Sequence, residues 1–464
     1  MKKRAWVPLV VMSALGIGAP LAAQTVPPFA LSEAVSVKVH EGGLTSTAVT
    51  AGVPAAQGGK KKPDRGVRFV FADRPSIRAG KWLQIDLLVK VQGDYRNSEQ
   101  DLAGYGGSQG LYRRRGGVKG ELFKRVEFEV TRELRGTSNE AATSTTPWHD
   151  VYINVKAVSA IQVQAGRFKI PFSLDELTGV FDLDFAFRSL AARQLSPGRD
   201  VGWMVHGSLF KKGLHYQAGT FRSDGDNPPI PEPTYPALGE TSPRSRSQAG
   251  RVVWSGVKNL SIGGGVVFTN VPEGRNNLRD RSVFRYHTFE TLYVKGRRLR
   301  LGADASWTPG PFSVSAEYIR SQEARVAQGV QNEQGIDTTL PDYLGQGWYV
   351  AGTWGLTGEK KAGGLEPKRP FLQGGFGAIE LVGRLEALQF ASADTREGPS
   401  RSRRAANPGG NTEHVVTVGV NWYLNKWIKA QVNAIGEQIE DLQYSPVPAK
   451  NRFWSTVLRL QFVM

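Results

Sequence analysis

Leu83-Gln84-Ile85-Asp86-Leu87-Leu88-Val89-Lys90-Val91-Gln92 carries an apolar residue at every odd position and, Leu88 aside, a polar one at every even position. A period of two sends alternate side chains to opposite faces of an extended chain. The stretch therefore predicts a strand lying between an apolar phase and water. The same pattern recurs along the chain. Val126, Phe128 and Val130 oppose Arg125, Glu127, Glu129 and Thr131, and Leu299, Leu301, Ala303, Ala305 and Trp307 oppose Arg298, Arg300, Asp304 and Ser306. Ile379, Leu381 and Leu385 oppose Glu380, Arg384 and Glu386, while Val416, Val418, Val420 and Trp422 turn through Asn425-Lys426 into Ile428, Ala430 and Val432. At the end of the sequence Trp454, Thr456, Leu458, Leu460, Phe462 and Met464 share one parity.

These segments run about 9–13 residues, the length a tilted strand needs to cross a bilayer. Tight turns such as Lys211-Lys212-Gly213 alternate with long polar loops near 222–247, 321–345, 358–374 and 391–412. Loops segregated by length are a habit of membrane barrels, as are tryptophans and tyrosines near strand ends. Seventeen candidate strands can be drawn; the stretch 283–294, with Arg285, His287 and Glu290, reads better as a loop, leaving sixteen. The expectation is an all-β fold, a transmembrane antiparallel β-barrel of about 16 strands with long outer loops, wide enough for an aqueous channel.

Composition narrows the class. The chain has 464 residues with 59 Lys+Arg against 42 Asp+Glu, a net charge of +17, and is 40% hydrophobic. After its first two dozen residues it holds no apolar run of about 18 residues, which argues against membrane helices. Without cysteine it has no disulfides, no thiolate chemistry and no Cys-ligated metal, and six scattered histidines offer little to a metal centre. Met1-Lys2-Lys3-Arg4, an apolar run to about Leu21 and Ala22-Ala23 predict a cleaved secretory signal over 1–23. Residues 24–80, rich in Pro, Gly, Ala and Thr at first and bearing Lys60-Lys61-Lys62, predict a flexible periplasmic leader, and 81–464 the barrel. Gly106-Gly107-Ser108-Gln109-Gly110 has the spacing of a nucleophile elbow but lacks its strand-to-helix context. His149-Asp150 and Asp224-Gly225-Asp226-Asn227 read as a strand edge and a turn. No catalytic residue, cofactor site or metal site is expected, and dispersed basic residues in an exported chain do not suggest nucleic acid.

Ala165-Gly166-Arg167-Phe168-Lys169-Ile170-Pro171-Phe172-Ser173-Leu174-Asp175-Glu176-Leu177-Thr178, then Phe187-Arg188-Ser189-Leu190 and Ser196-Pro197-Gly198-Arg199-Asp200-Val201-Gly202, resembles the phosphate-selective porin O/P family. The likeness extends over roughly 82–464. It implies a trimeric 16-stranded porin of the outer membrane of a Gram-negative-type bacterium, in which about 170–199 folds inward as a constriction loop. That assigns Lys169, Asp175, Glu176, Phe181, Asp182, Asp184, Arg188, Arg193 and Arg199 to the constriction. Phe181 stands where phosphate-selective members of the family resemble one another in carrying lysine. Arg244, Arg246 and Arg251 resemble a shortened basic ladder, and with Arg298, Arg300 and Arg384 they are the candidate basic lining of the pore. The expected activity is passive diffusion of small hydrophilic solutes, with a lean toward anions such as phosphate. The alternative is a plugged barrel acting as a surface adhesin or outer-membrane enzyme. Expected partners are outer-membrane lipid and lipopolysaccharide, small anionic or neutral solutes and two further copies in a homotrimer, with no nucleic acid.

Overall fold

The structure, a computed structural model, describes residues 66–71, 73–98, 109–134, 146–226, 245–276, 292–326, 339–361, 364–392, 410–447 and 449–464. The expected signal peptide, the leader up to residue 65 and Arg244 lie outside them, as does Ser108 of the elbow-like motif. The strands are β1 (Val67–Phe71), β2 (Pro75–Ala79), β3 (Leu83–Ser98), β4 (Gln109–Leu122), β5 (Val126–Glu133), β6 (Trp148–Val158), β7 (Ile161–Lys169), β8 (Arg199–Leu209) and β9 (Leu214–Phe221). They continue with β10 (Ser247–Trp254), β11 (Leu260–Arg275), β12 (Tyr293–Trp307), β13 (Phe312–Arg325), β14 (Leu340–Gly355), β15 (Ala378–Ser392), β16 (Asn411–Tyr423), β17 (Ile428–Ile439) and β18 (Arg452–Val463).

Strands β3 to β18 form a closed antiparallel barrel of 16, each paired with its sequence neighbour. The seam closes where β18 meets β3, with Leu458 opposite Tyr95 and Phe462 opposite Val91. Closure leaves the barrel wall without an open edge, as a bilayer requires of a spanning sheet. The alternation read from the sequence sorts as expected. Leu87 and Tyr95 are exposed on the outer face of β3, and Asp86, Gln92, Asp94 and Arg96 are buried on the inner one. Aromatic pairs ring the short-turn end: Trp82 on Phe123, Phe312 on Trp354, and Phe371 and Phe376 on Trp422. This is the girdle position, where an aromatic ring meets the lipid headgroups.

Three expectations are corrected. Residues 67–79, assigned to the leader, instead form the β1–β2 hairpin, and β2 pairs with the start of β3, Ser76 opposite Asp86 and Ala79 opposite Leu83. Because β18 reaches only Lys90 of β3, the hairpin takes up the same edge of β3 where the last strand stops. Arg125, expected to face inward from a strand, lies in the exposed turn between β4 and β5. The long segment near 358–374 belongs to the β14–β15 connection, which lies at the end of the barrel otherwise closed by tight turns such as 308–311 and 424–427. It folds inward there, burying Leu365 against Ala378 and Tyr423.

Candidate functional site: the constriction

Between β7 and β8 the chain enters the barrel. Ser173 caps a one-turn helix, α1 (Leu174–Leu177), its side chain accepting from the Glu176 amide at 3.1 Å. Glu317 of β13 accepts from the amides of Leu174 (2.9 Å) and Asp175 (3.2 Å), placing a carboxylate where helical N–H groups lack partners. At the other end Lys169 donates to the carbonyls of Glu176, Leu177 and Thr178, the complementary arrangement for a cation. A second helix, α2 (Leu190–Leu195), is capped by Ser189 and buries Leu190, Ala191, Ala192 and Leu195 against the wall. The wall makes room with glycine. A Cβ on Gly345 would stand 2.8 Å from Leu195 Cδ2, and one on Gly347 2.9 Å from Ala191 Cβ.

Barrel side chains hold the loop by its backbone. Arg251 donates to the Phe172 carbonyl at 2.5 Å, Arg384 to that of Phe187 at 3.0 Å, and Gln461 to that of Phe181 at 2.6 Å. Asn433 accepts from the Ala186 amide at 2.7 Å and Glu386 from the Leu190 amide at 2.6 Å. These contacts come from β10, β15, β17 and β18, so the loop is fastened along one side of the lumen. Lys361, from the inward-folded β14–β15 connection, joins it through an ion pair with Asp184 and a 2.5 Å contact to Glu380.

Two open spaces lie on the other side, against β3 to β8. A cavity of about 80 Å³, called the neck below, lies between the loop tip, Gly179 to Asp182, and a wall carrying Lys90, Arg115, Glu129, Asp150 and Arg199. Glu129 also lines a space of about 290 Å³, and Phe181 and Asp182 also line a third of about 390 Å³ against Lys429 and Gln461 of the fastened side. Phe181 is buried at the neck, with Lys90 Nζ 5.6 Å and the Arg115 guanidinium 5.5 Å from its ring centroid. The aromatic face thus meets two cations that would repel a lysine at the same position.

Few of the expected charges are free. Glu176 pairs with Arg188 at 3.1 Å, Asp175 accepts from the Ser189 amide at 2.9 Å, and Arg199 grips Asp150 at 3.0 and 3.2 Å. Asp182 is exposed at the neck and Arg193 is half-buried on α2. Among the candidate basic residues, Arg251, Arg298, Arg300 and Arg384 do face inward, yet each is buried and bonded. Arg251 holds Asp304 at 2.6 and 2.8 Å, and Arg384 holds Glu386 at 2.9 Å. They position the loop and its surroundings and do not line open water. Arg246 lies just before β10, exposed and on the opposite parity from buried Ser247 and Arg251, so it forms no ladder with Arg251. The sequence pattern did not single out Arg115, which forms the neck, or Lys361; only the register of β4 and the inward fold of the connection reveal them.

Solved structures share the fold. OmpT, an outer membrane protein of Vibrio cholerae in its trimer form, is similar at a TM-score of 0.51 and 11% identity, covering 82% of this chain and 100% of that one. An anion-selective porin from Comamonas acidovorans is similar at a TM-score of 0.50 and 14% identity, again covering 82% of this chain and 100% of that one. No curated protein sequence matches the chain. A family profile does, over residues 85–464, and on that match, with the closed barrel and its inward loop, the chain belongs to the family of phosphate-selective porins O and P.

Proposed function

We propose that this chain is a diffusion porin of the outer membrane, passing small hydrophilic solutes with a slight preference for anions and without a specific phosphate site. The observation that carries this reading is the neck between loop tip and wall. Three cations there, Lys90, Arg115 and Arg199, stand against three carboxylates, Glu129, Asp150 and Asp182, around the apolar ring of Phe181. The sign of ring charge sets ion preference, so a balanced ring discriminates chiefly by size. Without Lys2, Lys3 and Arg4 of the expected signal, the net charge of +17 falls to +14, which still supplies a weak, long-range attraction for anions. OmpT of Vibrio cholerae has a trimer form, and a homotrimer of this chain fits the shared fold. A cleaved signal over 1–23 would deliver the chain, and the positive excess would favour lipopolysaccharide at the surface.

Fastening of the loop along one wall also favours a second reading, a plugged barrel that serves as an adhesin or enzyme. Conductance separates the two. Purified protein inserted in a planar bilayer should give steady steps in potassium chloride, and millimolar phosphate should leave them unblocked. A silent membrane with insertion verified would reject the pore, and block by phosphate would reject the nonspecific neck.

A further inference from the structure

The turn after β9 reaches into the lumen at Asp224. Its carboxylate is wholly buried and accepts from Arg298, from both terminal nitrogens of Arg300 at 2.5 and 2.8 Å, and from the Thr269 hydroxyl at 2.9 Å. Arg298 also pairs with Glu323 of β13 at 2.7 Å. Two planar guanidiniums and a hydroxyl converging on one group form the donor set that binds a free carboxylate or phosphate. The donors exceed what Asp224 uses: Arg300 Nε is buried with no acceptor among the described residues. Burial opposes ionisation of Asp224, but Arg300 and Arg298 outweigh it and hold the carboxyl below its ordinary value.

The backbone delivers the carboxylate through a turn built for it. Gly225 has φ of +70°, and a Cβ there would fall 2.0 Å from the Pro197 carbonyl, so only glycine fits this turn. The turn splits two acids between two tasks. Asp226 anchors it, accepting from the Arg199 amide at 2.9 Å and from Arg167 at 2.8 Å, while Asp224 goes to the arginine pair.

We propose that Asp224 is an internal counter-anion: it occupies an oxyanion site built from Arg298, Arg300 and Thr269, and so sets specificity by keeping the pore from retaining small oxyanions there. The site follows from the geometry; its effect on permeation rests on the porin reading above. Charge arithmetic shows the consequence of removing it. Arg298 and Arg300 are balanced by Asp224 and Glu323, so loss of Asp224 leaves one uncompensated positive charge on the inner wall.

Asp224→Ala removes one carboxylate, and formate is the carboxylate that fits the space. The thermal midpoint of the folded barrel, read by gel mobility in detergent, should rise with sodium formate in the variant relative to sodium chloride of equal ionic strength. It should not respond in the parent or in D224A/R300A. Asp224→Asn keeps the shape and, should D224A fail to fold, still reports: its chloride-over-potassium permeability should rise about twofold over the parent. A folded D224A indifferent to formate overturns the site, and a D224N permeability ratio equal to the parent's overturns the specificity role. A parent that never conducts would reject the porin reading while leaving the formate response intact, so the two failures are distinguishable.

Discussion

At the residue scale the constriction depends on charged side chains bonded to backbone. Glu317 is the clearest case, because two otherwise unpaired amides of α1 fall on its two oxygens. Glu317→Gln keeps the size but leaves one strong acceptor in place of two charged ones. The amides of Leu174 and Asp175 should then lose about 1–2 kcal/mol of protection, roughly a 5–30-fold faster hydrogen exchange, with the strands unaffected. Unchanged exchange would mean that the carboxylate does not hold the loop. This scale also marks where sequence reading stops. Alternation alone shows that Arg298 and Arg300 share an inner face, because parity is a local property. Their counter-charge, Asp224, lies 74 and 76 residues away in sequence, and no local pattern announces such a pairing. A pore-lining cation and a buried, neutralised one therefore look alike until the long-range contacts are known. Phe181 is the converse case, since its departure from lysine is visible in the sequence but the two cations beside it come from β3 and β4.

Among elements, many barrel strands were legible because they are long and largely alternating, and the β1–β2 hairpin was not because its strands have five residues each. Its signal was partial: Val67, Phe69 and Phe71 share one parity, but Val70 breaks the alternation before Asp73-Arg74-Pro75 turns the chain. Register gives it a place in the wall. Phe69 lies opposite Ile77, and Ile77 opposite Ile85, so the outer apolar face continues across all three strands. Lys426 to Asp73 at 2.5 Å and the Trp427 indole to the Asp73 carbonyl at 2.7 Å tie its turn to the β16–β17 turn. Deleting residues 66–79 would strip the start of β3 of its ladder partners on one edge, leaving those of β4 on the other, and expose the seam. The variant should unfold at a lower temperature by gel mobility yet retain unitary conductance, since no described residue of the hairpin lines the neck. Loss of conductance with an unchanged midpoint would place the hairpin in the pore and not in the wall.

For the whole molecule the question is where a charge of +14, the +17 of the chain less Lys2, Lys3 and Arg4 of the signal, acts when the neck is balanced and Arg298 and Arg300 are neutralised. Close contacts and distant charge respond differently to salt. Screening acts over about 10 Å at 0.1 M and about 3 Å at 1 M, so attraction from charges spread along the chain fades across that range. Groups touching the permeating ion, such as Lys90 and Arg115 at the neck, lie inside the screening length at either concentration. The slight anion preference should therefore be measurable from reversal potentials around 0.1 M potassium chloride and fall close to unity around 1 M at the same gradient ratio. A preference that survived at 1 M would instead locate the selectivity at the neck. Lys90 and Arg115 would then have to outweigh Glu129 and Asp182 in their contact with the ion. Neutralising Lys90 would next be the decisive substitution, because Arg115 already spends part of its charge on Glu133 at 3.0 Å.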